Sequence, residues 1–219
     1  MRMLTALSDL IVPIDCGGCG RTGTRWCDRC NTRIRDAPIE LTPRIDVGVP
    51  VWALGRYRAP FATSVLAMKE HRRSDLAVPI GDALAAMLGT LAQWSELPDA
   101  RHLNLVPAPT RTLAARRRGG DTVTAFARVA AARLGPGVSV TPLLHTAGSA
   151  RDSMGLDARH RASNMSGAIR IRAIPSGLHD RPFVLVDDVL TTGATAAESV
   201  RILAAHGISI LCAAVVAGA

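Results

Sequence analysis

The sequence predicts an α/β domain built on a largely parallel sheet, preceded by a small segment that a metal ion holds together. Three observations carry this expectation. From residue 47 onward, short apolar runs alternate with stretches whose apolar residues recur at helical spacing. Four of the five cysteines fall in two Cys-x-x-Cys pairs between Cys16 and Cys30. Near the C-terminus a buried-strand pattern runs into two acids, a Thr- and Gly-rich turn and an amphipathic helix. The expected division is residues 1–46 for an N-terminal helix, the cysteine segment and a linker, and 47–219 for the α/β domain.

The elements follow in order. Residues 3–11 have the pattern of one short helix, stopped by Pro13. Residues 16–30 are dense in Gly, Thr, Arg and Cys, with no hydrophobic period and so no core of their own. Residues 36–50 hold Pro38, Pro43 and Pro50 with little apolar content and read as a linker. A strand is expected at 49–54, then helices at 60–69 and 76–94, the second with Asp75 as its cap. Residues 103–107 read as a strand ending in Pro-Ala-Pro, and 121–134 as a helix ended by Gly135 and Pro136. Short strands at 139–144 and 168–171 enclose a polar stretch. Residues 183–186 form a buried strand, 195–206 a helix stopped by Gly207, and 208–216 a final strand.

Length and composition bound the function. A chain of 219 residues allows one domain with a substantial appendage or two small ones, and it can bury about 70% of its unfolded surface. Its 48% hydrophobic content excludes a disordered chain. The apolar stretches 76–98 and 203–219 are interrupted by Asp82 and Glu96 or by His206, so both read as buried elements and not membrane spans. Asp9 interrupts the N-terminal run before a secretory apolar region can form, and the cytoplasm is the expected compartment. A net charge of +8 invites a nucleic-acid partner. Against this, Lys69 is the single lysine and the chain is rich in Ala, Gly and Val, which fits a GC-rich coding sequence as well as selection for phosphate contacts; aromatics amount to only 3%, little material for base stacking.

Cys16, Cys19, Cys27 and Cys30 form two matched knuckles seven residues apart. Four thiolates so spaced suit tetrahedral Zn²⁺ in a closed site, whose role is structural because no coordination position is left open. Disulfides, a redox pair and an iron–sulfur centre are the alternatives. Cys212 reads as a buried apolar residue of the last strand and Trp26 as packing for the knuckles.

The segment from Phe183 to Thr195 carries the most chemistry. Thr191, Thr192, Gly193, Ala194 and Thr195 open a helix, whose first N–H groups and dipole favour an anion. Gly193 permits a left-handed turn. Asp187 and Asp188 just upstream are suited to accept hydrogen bonds from sugar hydroxyls or to hold hydrated Mg²⁺. The whole is a phosphate-plus-polyol site at the carboxyl end of a sheet strand, and not a Walker A loop. Arg116, Arg117 and Arg118, with Arg151, Arg159 and Arg161, supply bidentate cations for pyrophosphate, or equally for single-stranded DNA. His145, His160 and His206 show no metal spacing.

Residues 184–195, four apolar residues, two acids and Thr-Thr-Gly-x-Thr, resemble the phosphoribosyl-pyrophosphate (PRPP) motif of type I phosphoribosyltransferases. By that resemblance Asp187 and Asp188 contact the ribose hydroxyls and Thr191 to Thr195 hold the 5′-phosphate. Thr191 stands where purine-salvage members often carry an Asp, so the pattern is closer to the orotate type. Across nearly the whole chain the plan is similar to that of the ComF family, linked to DNA uptake in competence: a short helix, Leu-Ile-Val-Pro13, a four-cysteine zinc ribbon, then a phosphoribosyltransferase domain. Lys69, the segment Leu105-Val-Pro-Ala-Pro109, and Leu156 with Arg161 and Asn164 resemble that family's residues. Ser153 and Arg118-Gly-Gly-Asp121 depart from its usual Gln and Arg-Gly-Phe-Asn.

The resemblance implies a Rossmann-like type I phosphoribosyltransferase fold and Mg²⁺-dependent transfer of a 5-phosphoribosyl group from PRPP to an unidentified acceptor. In that reading Asp187 and Asp188 anchor the ribose, and Arg118, Arg151 or Arg161 meets the pyrophosphate. The alternative is a PRPP-binding accessory protein that holds single-stranded DNA, with competence or DNA-processing proteins as partners.

Overall fold

The computed structural model describes residues 14–99, 101–109, 121–146, 169–175, 178 and 181–219. The expected helix at 3–11 and the arginines Arg116, Arg117, Arg118, Arg151, Arg159 and Arg161 lie outside the described residues.

A short helix α1 (Asp28–Arg33) is followed by β1 (Ile39–Leu41), β2 (Val51–Arg56), α2 (Phe61–Glu70), a 3₁₀ turn (Ser74–Leu76) and α3 (Ala77–Gln93). Then come β3 (Asn104–Pro107), α4 (Thr122–Leu134), β4 (Ser139–Val140), β5 (Leu144–Thr146), β6 (Ile169–Ile171), β7 (Phe183–Leu190), α5 (Ala194–Ala205) and β8 (Ile210–Gly218). Six strands form one sheet in the order β1-β2-β8-β7-β3-β4, and β5 pairs with β6 apart from it. Every neighbouring pair in the large sheet is parallel except β1 with β2.

A parallel sheet needs both faces covered, and strand alternation supplies both. Val184, Val186, Cys212 and Ala214 point into a core shared with Met68, Leu84, Leu88 and Phe126 of α2, α3 and α4. Phe183, Leu185, Ala213 and Val215 point the other way, onto Ile202 and Leu203 of α5. The chain runs outward from β3 through α4 to β4, but inward from β7 through α5 to β8. Because parallel crossovers are right-handed, this reversal puts α4 and α5 on opposite faces. The helices that follow the neighbouring strands β3 and β7 therefore lie on opposite faces, and open α/β sheets bind ligands at the carboxyl ends of strands so related.

Several local expectations change: the strand expected at 139–144 is divided between β4 and β5 in separate sheets, and the one expected at 183–186 runs on to Leu190. Residues 39–41, read as linker, are the antiparallel edge strand β1, in register Ile39↔Ala53 and Leu41↔Val51. Three residues are too few to show alternation, and the strand exists through its partner. Asp75 does not cap α3 with its side chain; both its oxygens accept from Arg73 at 2.8 Å. Asp121 does cap α4, accepting from the Val123 N–H at 3.1 Å. The stretch Ser74–Gln93 is long and apolar enough to cross a bilayer by length and composition, yet 56% of that window is buried inside the protein. It is a core helix.

The contact between α3 and α4 depends on Gly81, where a Cβ would lie 2.5 Å from Val129 Cβ and 2.6 Å from the Phe126 carbonyl oxygen. In an exposed helix, Gly→Ala stabilises by about 1 kcal/mol. Here the overlap reverses the sign, and Gly81→Ala is expected to destabilise by about 1–3 kcal/mol in chemical denaturation.

Candidate functional site

Strand β7 continues through both acids to Leu190, held by β8 with Asp187 opposite Val215 and Leu190 opposite Gly218. Alternation therefore sends the two carboxylates to opposite faces. Asp188 falls on the face of Val184 and Val186, under α2, and is buried at 8% exposure. There Lys69, in the last turn of α2, donates to Asp188 Oδ1 at 2.7 Å. Asp187 stays half-buried, accepts from the Asp188 N–H at 2.8 Å and lines the recess above the sheet.

That recess, about 230 Å³ and open to solvent, is walled by Asp187, Leu190, Thr191, Thr192, Gly193 and Thr195. Gly193 adopts φ 91° and is the N-cap of α5, so no side chain caps the helix there. The Ala194 N–H has only a long contact of 3.4 Å with Thr192 Oγ1. A helix start of this kind presents N–H donors and a positive dipole end to an anion. The exposed hydroxyls of Thr191 and Thr192 add donors beside it.

Glycine is required at 193 for a second reason. A Cβ would lie 2.7 Å from the Ile45 carbonyl oxygen and 3.0 Å from Pro43 Cβ. The Ile45 N–H in turn donates to the Thr192 carbonyl at 2.9 Å. Residues 43–47, part of the expected linker, thus form a strap behind the anion loop. The close approach that Gly193 permits is made to the chain itself.

The electrostatics follow from this geometry. Neighbouring protein atoms displace water around the Asp187 carboxyl, and the charge of Asp188 adds to the effect. Together they push it up to about 8, against the Asp188 N–H and Lys69. Asp121, at the start of α4, works in the same direction as Asp188.

The four cysteines come together as a separate centre. All four sulfurs lie within 4.8 Å of one another, a set able to hold a metal ion. The first knuckle turns through Gly20 N–H to Cys16 carbonyl (2.8 Å), and Cys27 caps α1, bringing Cys30 one turn later. Burial opposes ionisation of Cys16, but N–H groups of Cys27, Cys19 and Gly18 outweigh it and hold the thiol down to about 6. Burial and the three neighbouring cysteines push Cys30 up. Four sulfurs so placed ionise together only around a cation.

This centre is docked on the domain. A Cβ on Gly17 would overlap Leu76 Cδ1 at 2.4 Å, and the Thr63 hydroxyl donates to the Gly18 carbonyl. Arg73 donates to the carbonyls of Asp15 (2.9 Å) and Arg25 (3.0 Å) while paired with Asp75. Trp26 packs against the cysteines, as its position between the knuckles suggests. Cys212 is buried and its thiol pushed up to about 12 by that burial. The His206 ring rests on the Ile202 carbonyl.

Among the expected site residues, Asp187 and Thr191 through Thr195 share one recess, and Asp188 lies beside it on the other face. Arg118, Arg151 and Arg161 fall outside the described residues. The strap had no sequence signal, since its contacts depend on a residue about 150 positions away.

Two outcomes are expected. Purified chain should carry about one tightly held metal ion by elemental analysis, lost on Cys30→Ser. For Asp187, a carboxyl raised in the folded state costs stability as pH rises from the ordinary carboxylate range toward 8, because the folded form binds the extra proton. Asp187→Asn should therefore raise the ligand-free melting temperature at pH 8.5 more than at pH 5.

No family model matches the chain. It is similar to the DNA utilization protein YhgH of Salmonella typhimurium (strain LT2) and to the protein of the same name from Salmonella typhi. Each is 28% identical over 176 residues, which span 72% of this chain and 69% of the relative. Among solved structures, an adenine phosphoribosyltransferase is similar at a TM-score of 0.41 and 16% identity, covering 86% of this chain and 89% of that one.

Proposed function

We propose that the carboxyl edge of the sheet binds PRPP with Mg²⁺ and that the domain transfers its 5-phosphoribosyl group to an acceptor not yet identified. The observation that carries this reading is the recess at the carboxyl end of β7, where it turns into α5. It combines an uncapped helix start on a left-handed glycine with an acid one strand-end away. The 5′-phosphate takes the N–H groups and hydroxyls of Thr191 to Thr195, and Asp187 takes the ribose hydroxyls. Asp188, neutralised by Lys69, sets the position of Asp187 through the shared backbone.

The donor set fits Mg²⁺, which prefers carboxylate and phosphate oxygens and keeps several waters. Asp187 is the carboxylate that lines the recess among the described residues, and the ion would supply charge neutralisation for the pyrophosphate. In the transfer, the anomeric carbon exchanges its bond to a pyrophosphate oxygen for one to the acceptor, and pyrophosphate leaves with the bonding pair. Holding ribose and leaving group in line supplies most of the catalysis in such a step. Arg118, Arg151 and Arg161 are the proposed pyrophosphate partners. The ion at the four cysteines is Zn²⁺ in this reading, since a closed four-sulfur site suits a structural role.

A second reading is favoured by the relatives, which are called DNA utilization proteins. In it the recess binds PRPP without transfer, and the cysteine centre and arginine loops hold single-stranded DNA in uptake or recombination. Cytoplasmic residence accords with both readings.

Calorimetric titration of metal-loaded protein with PRPP tests the first claim. Wild type should bind only with Mg²⁺ present, and the Asp187→Asn/Asp188→Asn variant at least tenfold more weakly. Equal binding by the two proteins, or none by wild type, contradicts the proposal.

A further inference from the structure

Helix α2 touches both the cysteine centre and the acids of β7. Its apolar face, Phe61, Val65 and Met68, is buried in the core. Its two ends are tied to the cysteine segment. At the first end Gly18 stands between a cysteine sulfur and the helix. A Cβ there would lie 2.7 Å from Cys30 Sγ and 2.8 Å from the Cβ of Pro60, the N-cap of α2. The Gly18 N–H donates to the Cys16 sulfur, and the Gly18 carbonyl accepts from the Thr63 hydroxyl. At the other end the Arg73 N–H donates to the Ala67 carbonyl of α2 at 3.2 Å. The Arg73 guanidinium donates to the carbonyls of Asp15, next to Cys16, and of Arg25, two residues before Cys27.

Lys69 lies between these anchors, about 9 Å along the helix axis from Thr63. It donates to Asp188 Oδ1 at 2.7 Å. Asp188 is buried, and among the described residues Lys69 is the cation paired with it. The Asp188 N–H donates to Asp187 Oδ1 at 2.8 Å, so the seat of Lys69 bears on the carboxylate that lines the recess.

The carbonyls that hold α2 have no apolar framework of their own. The hydrophobic cluster of the cysteine segment is Cys16, Cys27 and Cys30, with Trp26 packed on them. Four sulfurs gathered around a cation therefore set where those carbonyls stand. We propose that Thr63 and Arg73 are positioning residues, through which the metal-loaded cysteine centre seats Lys69 on Asp188 and so sets the affinity of the recess for PRPP. The proposal rests on the PRPP reading of the recess and adds the control of that site by the metal centre. Because Phe61, Val65 and Met68 are buried in the core apart from the anchors, cutting the anchors shifts α2 and does not unfold it.

The test is calorimetric titration with PRPP and Mg²⁺ of wild type, Thr63→Val, Thr63→Ser, Arg73→Ala, the Thr63→Val/Arg73→Ala pair, Lys69→Met and the triple variant. All keep the four cysteines, with metal content read by elemental analysis and fold by circular dichroism. The pair should bind PRPP about 5- to 150-fold more weakly, the usual range of coupling between two sites. Thr63→Ser should bind as wild type does. Wild type stripped of its metal and returned to Mg²⁺ should be weakened to a similar extent. Lys69→Met should weaken binding as well, and adding the pair to it should cost nothing further, because both act through one contact. Equal binding by the pair and wild type overturns the proposal. So does a triple variant whose loss is the product of the separate losses. Where the pair loses its fold or its metal, the single variants carry the same comparison. No binding by metal-loaded wild type overturns the recess reading and this coupling together, whereas a binding wild type with unweakened variants overturns the coupling alone.

Discussion

Strand β7 must be apolar on both faces for most of its length and still carry two adjacent carboxylates before its last two residues. Burying a charge among apolar neighbours costs several kcal/mol unless it is paired. Alternation separates the problem into two. Asp188 falls on the face covered by α2 and is met by Lys69 at 2.7 Å. Asp187 falls on the side of the recess, where no described side chain pairs with its carboxyl as Lys69 does with Asp188, and its proton is held more tightly. Such a group is costly in the empty protein and is satisfied by a ligand that brings hydroxyls or a hydrated cation. That imbalance supports the proposed binding role of the recess beside its geometry.

The placement of Lys69 links this edge to the cysteine centre. Lys69 ends α2, and Pro60 and Thr63 at the other end of the same helix meet Gly18. On the opposite side, α1 leads through β1 to the strap at 43–47, whose backbone meets Thr192 and Gly193. The cysteine segment thus reaches the site along two physical routes, one on each face of the sheet. Docking through Leu76 and Arg73 joins it to the core that carries α3. It is bound into the domain and not appended to it.

Features set by local chemistry were legible in the sequence. The acids and glycine of β7 and α5, and the two cysteine pairs, each depend on residues within a turn or two of one another. The fold class followed from alternating apolar runs, and the long α3 from its period. What stayed hidden depends on pairing at a distance. The three residues of β1 carry no alternation that could announce a strand, and the strap looks like a proline-rich connection until Thr192 is placed against it. The opposite facing of Asp187 and Asp188 needed the knowledge that β7 runs on past Val186. Lys69 was notable only as a lone lysine in a resembling segment. Its partner lies 119 residues away.

The central claim is that one edge of the sheet, at the carboxyl end of β7, receives a phosphorylated sugar on the turn backed by the strap. Hydrogen exchange read by mass spectrometry, with and without PRPP and Mg²⁺, tests it most directly. The account predicts slowed exchange in peptides covering 187–197 and 41–47 together, since the loop and its strap share a hydrogen bond. Unchanged exchange in both segments at saturating ligand, or protection confined to the cysteine segment, would contradict it.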